Sequence, residues 1–235
     1  MKSLVVLPTY NERENVKKLI EEIFSRSSDL EILVADDSSP DGTAEVVRQL
    51  QATIGEQRLH LLVRPKKEGL GRAYLASFQW ALEKGYNNIV QMDCDFSHRP
   101  KDLIKVFDEL KKSDVDFVVG SRYVAGGGIP EWEMWRRLLS KMGSLYAKTI
   151  LGYPLRDWTG GFNAWKRNVL EQIGLNNVSS EGYSFQIEMK FRALKLGFKG
   201  VEVPIIFDKR QDGKSKMSFK IMFEAILKVW VIRFD

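Results

Sequence analysis

Residues 91–98, Gln-Met-Asp-Cys-Asp-Phe-Ser-His, set two carboxylates, Asp93 and Asp95, two positions apart where an apolar run, Asn-Ile-Val-Gln-Met, comes to an end. Side chains at i and i+2 of an extended segment point the same way, so the two acids crowd one side and repel each other unless a cation sits between them. Hard carboxylate oxygens suit Mg²⁺ or Mn²⁺. A Mg²⁺ held by only one or two carboxylates normally takes substrate phosphates as further ligands, which points to a phosphorylated, diphosphate-type substrate. Taken alone, the pair is just as compatible with a solvated turn that carries two acids.

The elements that must position these acids are legible around them. Apolar, β-branched segments at 4–7, 32–35, 59–63, 89–92 and 117–119 read as strands, with helical patterns between them. Val16, Leu19, Ile20 and Ile23 keep a helical period, and Asp41-Gly-Thr-Ala-Glu-Val-Val opens a second helix with acids near its positive end. Continuous apolar strands alternating with helices predict an α/β fold, Rossmann-like, with a mainly parallel sheet covered on both faces. Such sheets bind ligands at the carboxyl ends of their strands. Pro8-Thr-Tyr-Asn-Glu12 follows the first strand, Asp36-Asp37-Ser-Ser-Pro-Asp41-Gly42 the second, the two acids the fourth and Gly120-Ser-Arg122-Tyr the fifth. Each segment alone reads equally as a turn or a helix entry; four on one edge predict a site. No Gly-x-Gly-x-x-Gly follows the first strand and no P-loop motif occurs, which counts against dinucleotide and P-loop phosphate binding. Gly69-Leu-Gly71-Arg72 opens a helix instead, where glycine serves close packing or a tight turn.

The 235 residues, 44% of them hydrophobic, fit one domain with a normal core, and no repeat, low-complexity tract or Pro/Gly-rich linker divides them. A single cysteine, Cys94, leaves no intrachain disulfide, and the chain opens on Ser-Leu-Val-Val-Leu-Pro without a basic-then-apolar leader, so a cytoplasmic protein is expected. Residues 1–125 carry 18 Lys and Arg against 20 Asp and Glu, whereas residues 126–235 carry 18 against 11, so the second half should face something anionic. Nucleic acid is a poor fit, because the basic residues lie beside apolar stripes and the rest of the chain is acidic. Met134, Leu138, Met142 and Leu145 form one stripe, Arg137, Lys141 and Lys148 another, and Trp132 and Trp135 lie at the start, the pattern of a helix in a membrane interface. No run of about 18 apolar residues predicts a standard transmembrane helix. From 219 to 234 only Lys220, Glu224, Lys228 and Arg233 interrupt an apolar segment. Such a helix is clamped into its own domain, buried in an oligomer or laid in a membrane interface.

Val-Val-Leu-Pro-Thr-Tyr-Asn-Glu-Arg-Glu-Asn, Asp-Asp-Ser-Ser-Pro-Asp-Gly-Thr, Gly-Leu-Gly-Arg-Ala-Tyr, Met-Asp-Cys-Asp-Phe-Ser-His and Gly-Ser-Arg-Tyr together resemble motifs of the polyprenol (dolichol) phosphate mannose synthases. Asp157-Trp-Thr-Gly-Gly-Phe, Ser180-Glu-Gly-Tyr-Ser-Phe-Gln-Ile-Glu-Met and Gly213-Lys-Ser-Lys continue the resemblance in family order over essentially the whole chain. It implies an inverting glycosyltransferase of the GT-A fold that moves mannose from GDP-mannose to a polyprenyl monophosphate. It also implies one domain, 1–235, in which 1–125 binds the nucleotide sugar and 126–235 faces acceptor and membrane through C-terminal amphipathic interface helices. Pro8, Tyr10, Glu12, Ala35 and Asp37 match the nucleoside pocket, and Asp93, Cys94 and Asp95 continue the donor site. Arg210 and Lys216, with Lys209 and Lys214, match a Gly-containing stretch that closes over the diphosphate.

The resemblance assigns Asp93, Asp95 and Ser97 to the metal motif for Mg²⁺ or Mn²⁺, with Ser97 standing where some relatives carry a Gln ligand. Arg122, Arg136 and Ser140 match acceptor-phosphate positions, and Asp95, Arg122, Arg136, Ser140 and Arg210 are expected to carry catalysis. Arg136 and Ser140 are one helical turn apart, so a guanidinium and a hydroxyl can grip one phosphate. A lipid phosphate, with a second pKa of about 6, is already anionic and needs no strong base. Asn163 stands where some relatives have a basic residue. Peripheral contact with the cytoplasmic face of a membrane is expected, through the chain itself, a membrane-protein partner or a homo-oligomer, since many relatives add transmembrane helices that this chain lacks. Three rivals stand beside this reading. One is a UDP-glucose-dependent polyprenyl phosphate glucosyltransferase, which the Ser-Pro-Asp-Gly-Thr form disfavours. Another transfers sugar to a hydroxyl, with Asp157 as its base. The third is a non-catalytic nucleotide-sugar scaffold, which the intact Asp93, Asp95, Arg122, Arg136 and Arg210 disfavour.

Overall fold

A computed structural model describes residues 2–27, 29–209 and 219–234, with the side chains of 219–225 excepted. Arg210, Lys214 and Lys216, and with them the expected closing stretch, lie outside the described residues. The described strands form one sheet: β1 (Ser3–Thr9), β2 (Leu30–Asp36), β3 (Leu59–Val63), β4 (Asn88–Gln91), β5 (Phe117–Ser121), β6 (Asn163–Lys166) and β7 (Gly200–Pro204). Their order is β3-β2-β1-β4-β6-β5-β7. The apolar runs that predict strands are β1 to β5; β6 and β7 are short and mixed in character.

Strand β6 runs antiparallel to β4 and β5, and every other pairing is parallel. Its insertion separates β4 from β5 by roughly 10 Å. It also reverses direction, so Asn163 at its amino end pairs with Gln91 and Val119 near the carboxyl ends of its neighbours. The loop 157–162 is thereby delivered to the edge that already holds the acids after β4 and Arg122 after β5.

Both faces of the sheet are covered, because alternation along β1 sends Val5 and Leu7 to one side and Leu4 and Val6 to the other. On the first side α1 (Arg13–Arg26), α2 (Thr43–Ile54) and α4 (Pro100–Leu110) close the core. Val16, Leu19, Ile20 and Ile23, whose spacing predicts α1, are all buried, each worth about 1.5–3 kcal/mol. The Asp41 carboxylate accepts from the amides of Thr43 (2.9 Å) and Arg13 (3.0 Å), pinning the starts of α2 and α1 together. On the second side lie α3 (Leu70–Glu83), α5 (Met134–Leu151), α6 (Arg167–Gln172), α7 (Gly182–Lys195) and α8 (Phe219–Phe234). A Cβ on Gly71 would come within 3.1 Å of the Phe185 ring and the Ser180 carbonyl, so this glycine lets α3 and α7 approach closely.

The two longest described helices, α5 and α8, pack by narrow faces. Helix α5 buries Ser144, Ala147 and Leu151 but leaves Met134 78% exposed, with Trp135, Leu138, Met142 and Leu145 also in solvent. Helix α8 packs on α5 and α7 through Val229 and Ile232, and the Tyr146 hydroxyl donates to the Ile226 carbonyl at 3.1 Å. Ile226, Leu227, Trp230, Val231 and Phe234 stay exposed. Clamping into its own domain therefore accounts for only one face of this segment. Among the described residues no helix is long and apolar enough to cross a membrane.

Candidate active site

The carboxyl ends of β1 and β2 lie side by side, with Pro8 opposite Ala35 and Thr9 opposite Asp36. Asp36 is fully buried and accepts from the Thr9 hydroxyl (2.8 Å), the Ser39 amide (2.9 Å) and the Ser39 hydroxyl (2.6 Å), so it fixes the loop. Asp37, one residue on, is taken by the Arg64 Nη1 at 2.5 Å, while Arg64 Nη2 also reaches Glu68 at 3.0 Å. Burial pushes the Asp37 carboxyl up, and the Arg64 charge pulls against it. Tyr10 presents an exposed ring with the Lys67 ammonium 3.5 Å from its centroid. The Glu12 carboxylate accepts from the Asn15 side-chain Nδ2 at 3.0 Å.

Strand β4 ends at Gln91, so Asp93 and Asp95 do not stand on an extended segment; their directions come from an irregular loop instead of from strand alternation. Phe96 bends that loop with φ at 61°. Among the described residues the other non-glycine positive φ angles are at Asn11 and Ser38, in the loops after β1 and β2. Left-handed backbone at non-glycine residues costs about 1–3 kcal/mol each and persists only where the surroundings enforce it. Here it marks three neighbouring loops on one edge.

Asp93 accepts from the buried Tyr74 hydroxyl at 3.2 Å, and its amide donates to His98 Nδ1 at 3.1 Å. Burial, together with the charges of Asp93 and Asp95, pushes the Tyr74 phenol well up, so it stays a proton donor. Asp95 Oδ1 accepts from the Ser97 amide (3.0 Å) and hydroxyl (2.5 Å). Among the described residues no three His, Cys, Asp or Glu side chains form a metal-holding group. Two carboxylates are nevertheless the complement with which Mg²⁺ or Mn²⁺ fills its shell from a bound diphosphate, so the donor set fits the ion.

Across β6, the Arg122 guanidinium donates to Asp157 through Nε and Nη2, both at 2.7 Å, and to the Thr159 hydroxyl at 2.8 Å. The Arg122 amide adds a third bond to Asp157 at 2.9 Å, and the Gly160 amide a fourth at 2.9 Å. Burial works against both charges, yet Arg122 holds the Asp157 carboxyl below its ordinary range and Asp157 holds Arg122 above its own. The 157–160 turn is gripped from behind by fully buried Lys190, whose Nζ donates to the carbonyls of Asp157 (3.1 Å), Trp158 (3.1 Å) and Gly160 (2.8 Å). Burial pulls Lys190 down to about 7, against the attraction of Asp157.

Beside Arg122, the Tyr123 hydroxyl donates to Ser140 Oγ at 2.7 Å, and the Arg136 guanidinium lies over Trp132, 4.9 Å from the ring centroid. A cavity of about 290 Å³ opens here, lined by Arg122, Tyr123, Ile129, Met134, Arg137, Leu138 and Lys141. Its lining combines three cationic side chains, Arg122, Arg137 and Lys141, with apolar and aromatic ones. Arg137 is tied to the carbonyls of Trp132 and Pro130.

The description glycosyl transferase family 2 fits residues 4–174, which run from β1 through α6. The chain is 45% identical over 235 residues to a polyprenol monophosphomannose synthase of Mycolicibacterium smegmatis, covering 99% of this chain and 88% of that one. It is 41% identical over 229 residues to an undecaprenyl-phosphate mannosyltransferase of Micrococcus luteus, covering 97% and 93%. The chain belongs to the polyprenol phosphate mannose synthase family. It is a glycosyltransferase. Its fold is also that of the mannosyltransferase PcManGT of Pyrobaculum calidifontis, solved with GDP-Man and Mn²⁺, at a TM-score of 0.63 and 20% identity over 99% of this chain and 63% of that one.

In this member of the polyprenol phosphate mannose synthase family, Pro8, Tyr10, Glu12, Ala35 and Asp37 gather at the ends of β1 and β2, beside Asp93 and Asp95 after β4. Ala35 and Cys94 turn their side chains into the core, so either has only its main chain to offer a nucleotide. Ser97 is completely buried behind Asp95. Arg122 and Ser140 meet through Tyr123, while Arg136 stands on the neighbouring Trp132. Asn163 joins a buried amide cluster, donating to Gln186 Oε1 (2.9 Å) and the Gly160 carbonyl (3.1 Å), so no charge is required in its place. Sequence reasoning missed Arg64, Tyr74, Tyr123 and Lys190. Arg64 follows β3 at the same edge and was open to the strand-end rule; Lys190 sits inside a helix and carried no signal.

Proposed function

We propose that this chain transfers mannose from GDP-mannose, with inversion, to a polyprenyl monophosphate, releasing GDP. The Arg122–Asp157 pair carries the reading. Transfer to a hydroxyl needs a base, and Asp157, the available carboxylate, is fully buried, ionised below its ordinary range and engaged by four donors. A base so stabilised has little pull on a proton. A phosphate monoester needs none, since it arrives as an anion and attacks the anomeric carbon while the C–O bond to the diphosphate breaks.

What such a reaction asks of the protein is to hold two anions together in line. Asp37, with Arg64 beside it, offers a nucleobase edge both acceptor and donor groups, and Tyr10 a ring face. Asp93 and Asp95, oriented by Tyr74, His98 and Ser97, would hold a divalent cation, Ser97 serving to set Asp95. When bound, that cation neutralises charge developing on the departing diphosphate. Arg122 and Arg136, with Arg137 and Lys141 at the cavity wall, would neutralise the acceptor phosphate, and the Ser140 hydroxyl would hydrogen-bond to it. The exposed apolar faces of α5 and α8, flanked by Lys141, Lys148 and Arg233, would rest in a membrane interface where that lipid resides.

GDP release from GDP-mannose with Mg²⁺, measured with and without a polyprenyl phosphate and repeated with UDP-glucose, tests the proposal. Lipid-dependent GDP release is expected. Lipid-dependent UDP release would move the chain to a glucosyl donor, and release stimulated by a sugar or alcohol instead of the lipid phosphate would overturn the acceptor class.

A further inference from the structure

The segment after β7 runs between the two halves of this site and is tied to both. The Ile205 amide donates to the Ser121 carbonyl (3.0 Å) and the Phe207 amide to the Gly128 carbonyl (2.9 Å), on the acceptor side. The Asp208 amide donates to the Ser97 carbonyl (3.0 Å), on the metal-motif side, and Arg99 grips the Asp208 carboxylate. Between these ties the Phe207 ring is 9% exposed.

Its neighbours are the immediate supports of the groups assigned above. His98, which accepts the Asp93 amide, meets the Phe207 ring edge-on at 5.3 Å. Trp132, whose ring underlies Arg136, meets it edge-on at 5.6 Å. The Arg122 guanidinium carbon itself lies 5.6 Å from the Phe207 centroid. One rigid ring thus touches the backing of a metal-motif carboxylate, the platform of one acceptor arginine and the other arginine directly. Edge-to-face and cation–π contacts depend on orientation, so a shift of the loop holding Asp93 is felt at both arginines.

We infer that Phe207 is a positioning residue that couples the metal-binding loop to the acceptor arginines, so that donor occupancy and acceptor affinity are linked through its ring. The inference rests on the proposed roles of Asp93, Arg122 and Arg136. The linkage is reciprocal, as any coupling between two binding equilibria must be.

The test measures the dissociation constant of a short-chain polyprenyl phosphate with and without saturating GDP and Mg²⁺. In the wild type the two values should differ by about fivefold or more. Phe207→Leu, which keeps bulk but removes the π face, should bring their ratio towards one, and Phe207→Tyr should restore it. GDP affinity without lipid should change less than about twofold in either variant, since the nucleoside contacts are untouched. A wild-type ratio of one overturns the inference whatever the variants do. A ratio unchanged in Phe207→Leu, with only thermal stability reduced, makes Phe207 a packing residue. Arg136→Ala distinguishes the levels: weakened lipid binding there with an unchanged Phe207→Leu ratio sinks only the coupling, whereas unchanged lipid binding sinks the acceptor assignment itself.

Discussion

Arg122 and Asp157 sit where water is excluded, and each owes its charge to the other. Removing one partner leaves the second charge buried and unbalanced, so Asp157→Asn is expected to cost about 3–5 kcal/mol of stability, read from chemical unfolding. The pH sign follows from the depressed carboxyl. Its folded pKa lies below the ordinary 3.8, so the stabilisation is fully present above that value and fades as pH falls through the folded one. The Asp157 contribution to the stability gap between wild type and Asp157→Asn should fade as pH falls below about 4. Asp95→Ala removes a carboxylate from the proposed ion and should lower transfer at least about a hundredfold in a product assay, several kcal/mol of electrostatic stabilisation being lost. Arg136→Ala deletes a charge-assisted contact worth about 1.5–3 kcal/mol, so the acceptor KM should rise roughly 10- to 100-fold while GDP binding holds. Loss of GDP binding would join two sites that these assignments keep apart. The sequence offered Asp93, Asp95 and Arg122 as candidates, whereas the contacts with Tyr74 and Asp157, and that of Asp37 with Arg64, depend on which strands lie side by side.

Strands β1, β2, β4 and β5 were legible because their apolar runs are buried on both faces, as only a covered parallel sheet would bury them, while β3, partly buried at the sheet edge, was legible from its apolar residues alone. Strand β6 was not, since Asn163-Ala-Trp-Lys is only four residues long with a polar residue at each end, and antiparallel insertion leaves no local trace. Yet that insertion brings Asp157 to Arg122. Helix α7 stabilises the arrangement from beneath with Lys190, which explains a buried cation that no hydrophobic pattern would place there. Its folded pKa of about 7 lies below the ordinary 10.5, so between these values the unfolded chain binds the extra proton. Stability should therefore rise with pH from about 7 to about 10.5, and Lys190→Met should flatten that rise. Unfolding free energies measured from pH 7 to 9.5 check this, and parallel curves for the two proteins would mean that Lys190 keeps its proton throughout.

At the scale of the whole molecule, the loops after β1, β2 and β4 lie at one sheet edge, while the exposed apolar faces belong to α5 and α8. Sequence periodicity on α5 marked this surface correctly as amphipathic, but which stripe would be buried was decided by packing: Ser144 and Ala147 go in, Leu138 and Met142 stay out. A solvated stripe of this kind is costly unless something covers it. The basic residues beside it and a lipid-borne acceptor favour an anionic membrane surface. The double variant Met142→Glu with Leu145→Glu, two exposed residues outside the cavity lining, should lower partition onto vesicles containing anionic phospholipid by more than about tenfold, each apolar side chain contributing up to 1.5–3 kcal/mol when fully withdrawn from water. Both residues face outward, so unfolding should be little affected, and GDP affinity should be unchanged because the nucleotide loops are remote. Transfer to a membrane-embedded acceptor should fall while transfer to a short, water-dispersed polyprenyl phosphate persists. If the variant instead binds vesicles like the wild type but shifts from dimer to monomer in light scattering, the stripe is a contact between copies of the chain, and membrane attachment must come from elsewhere.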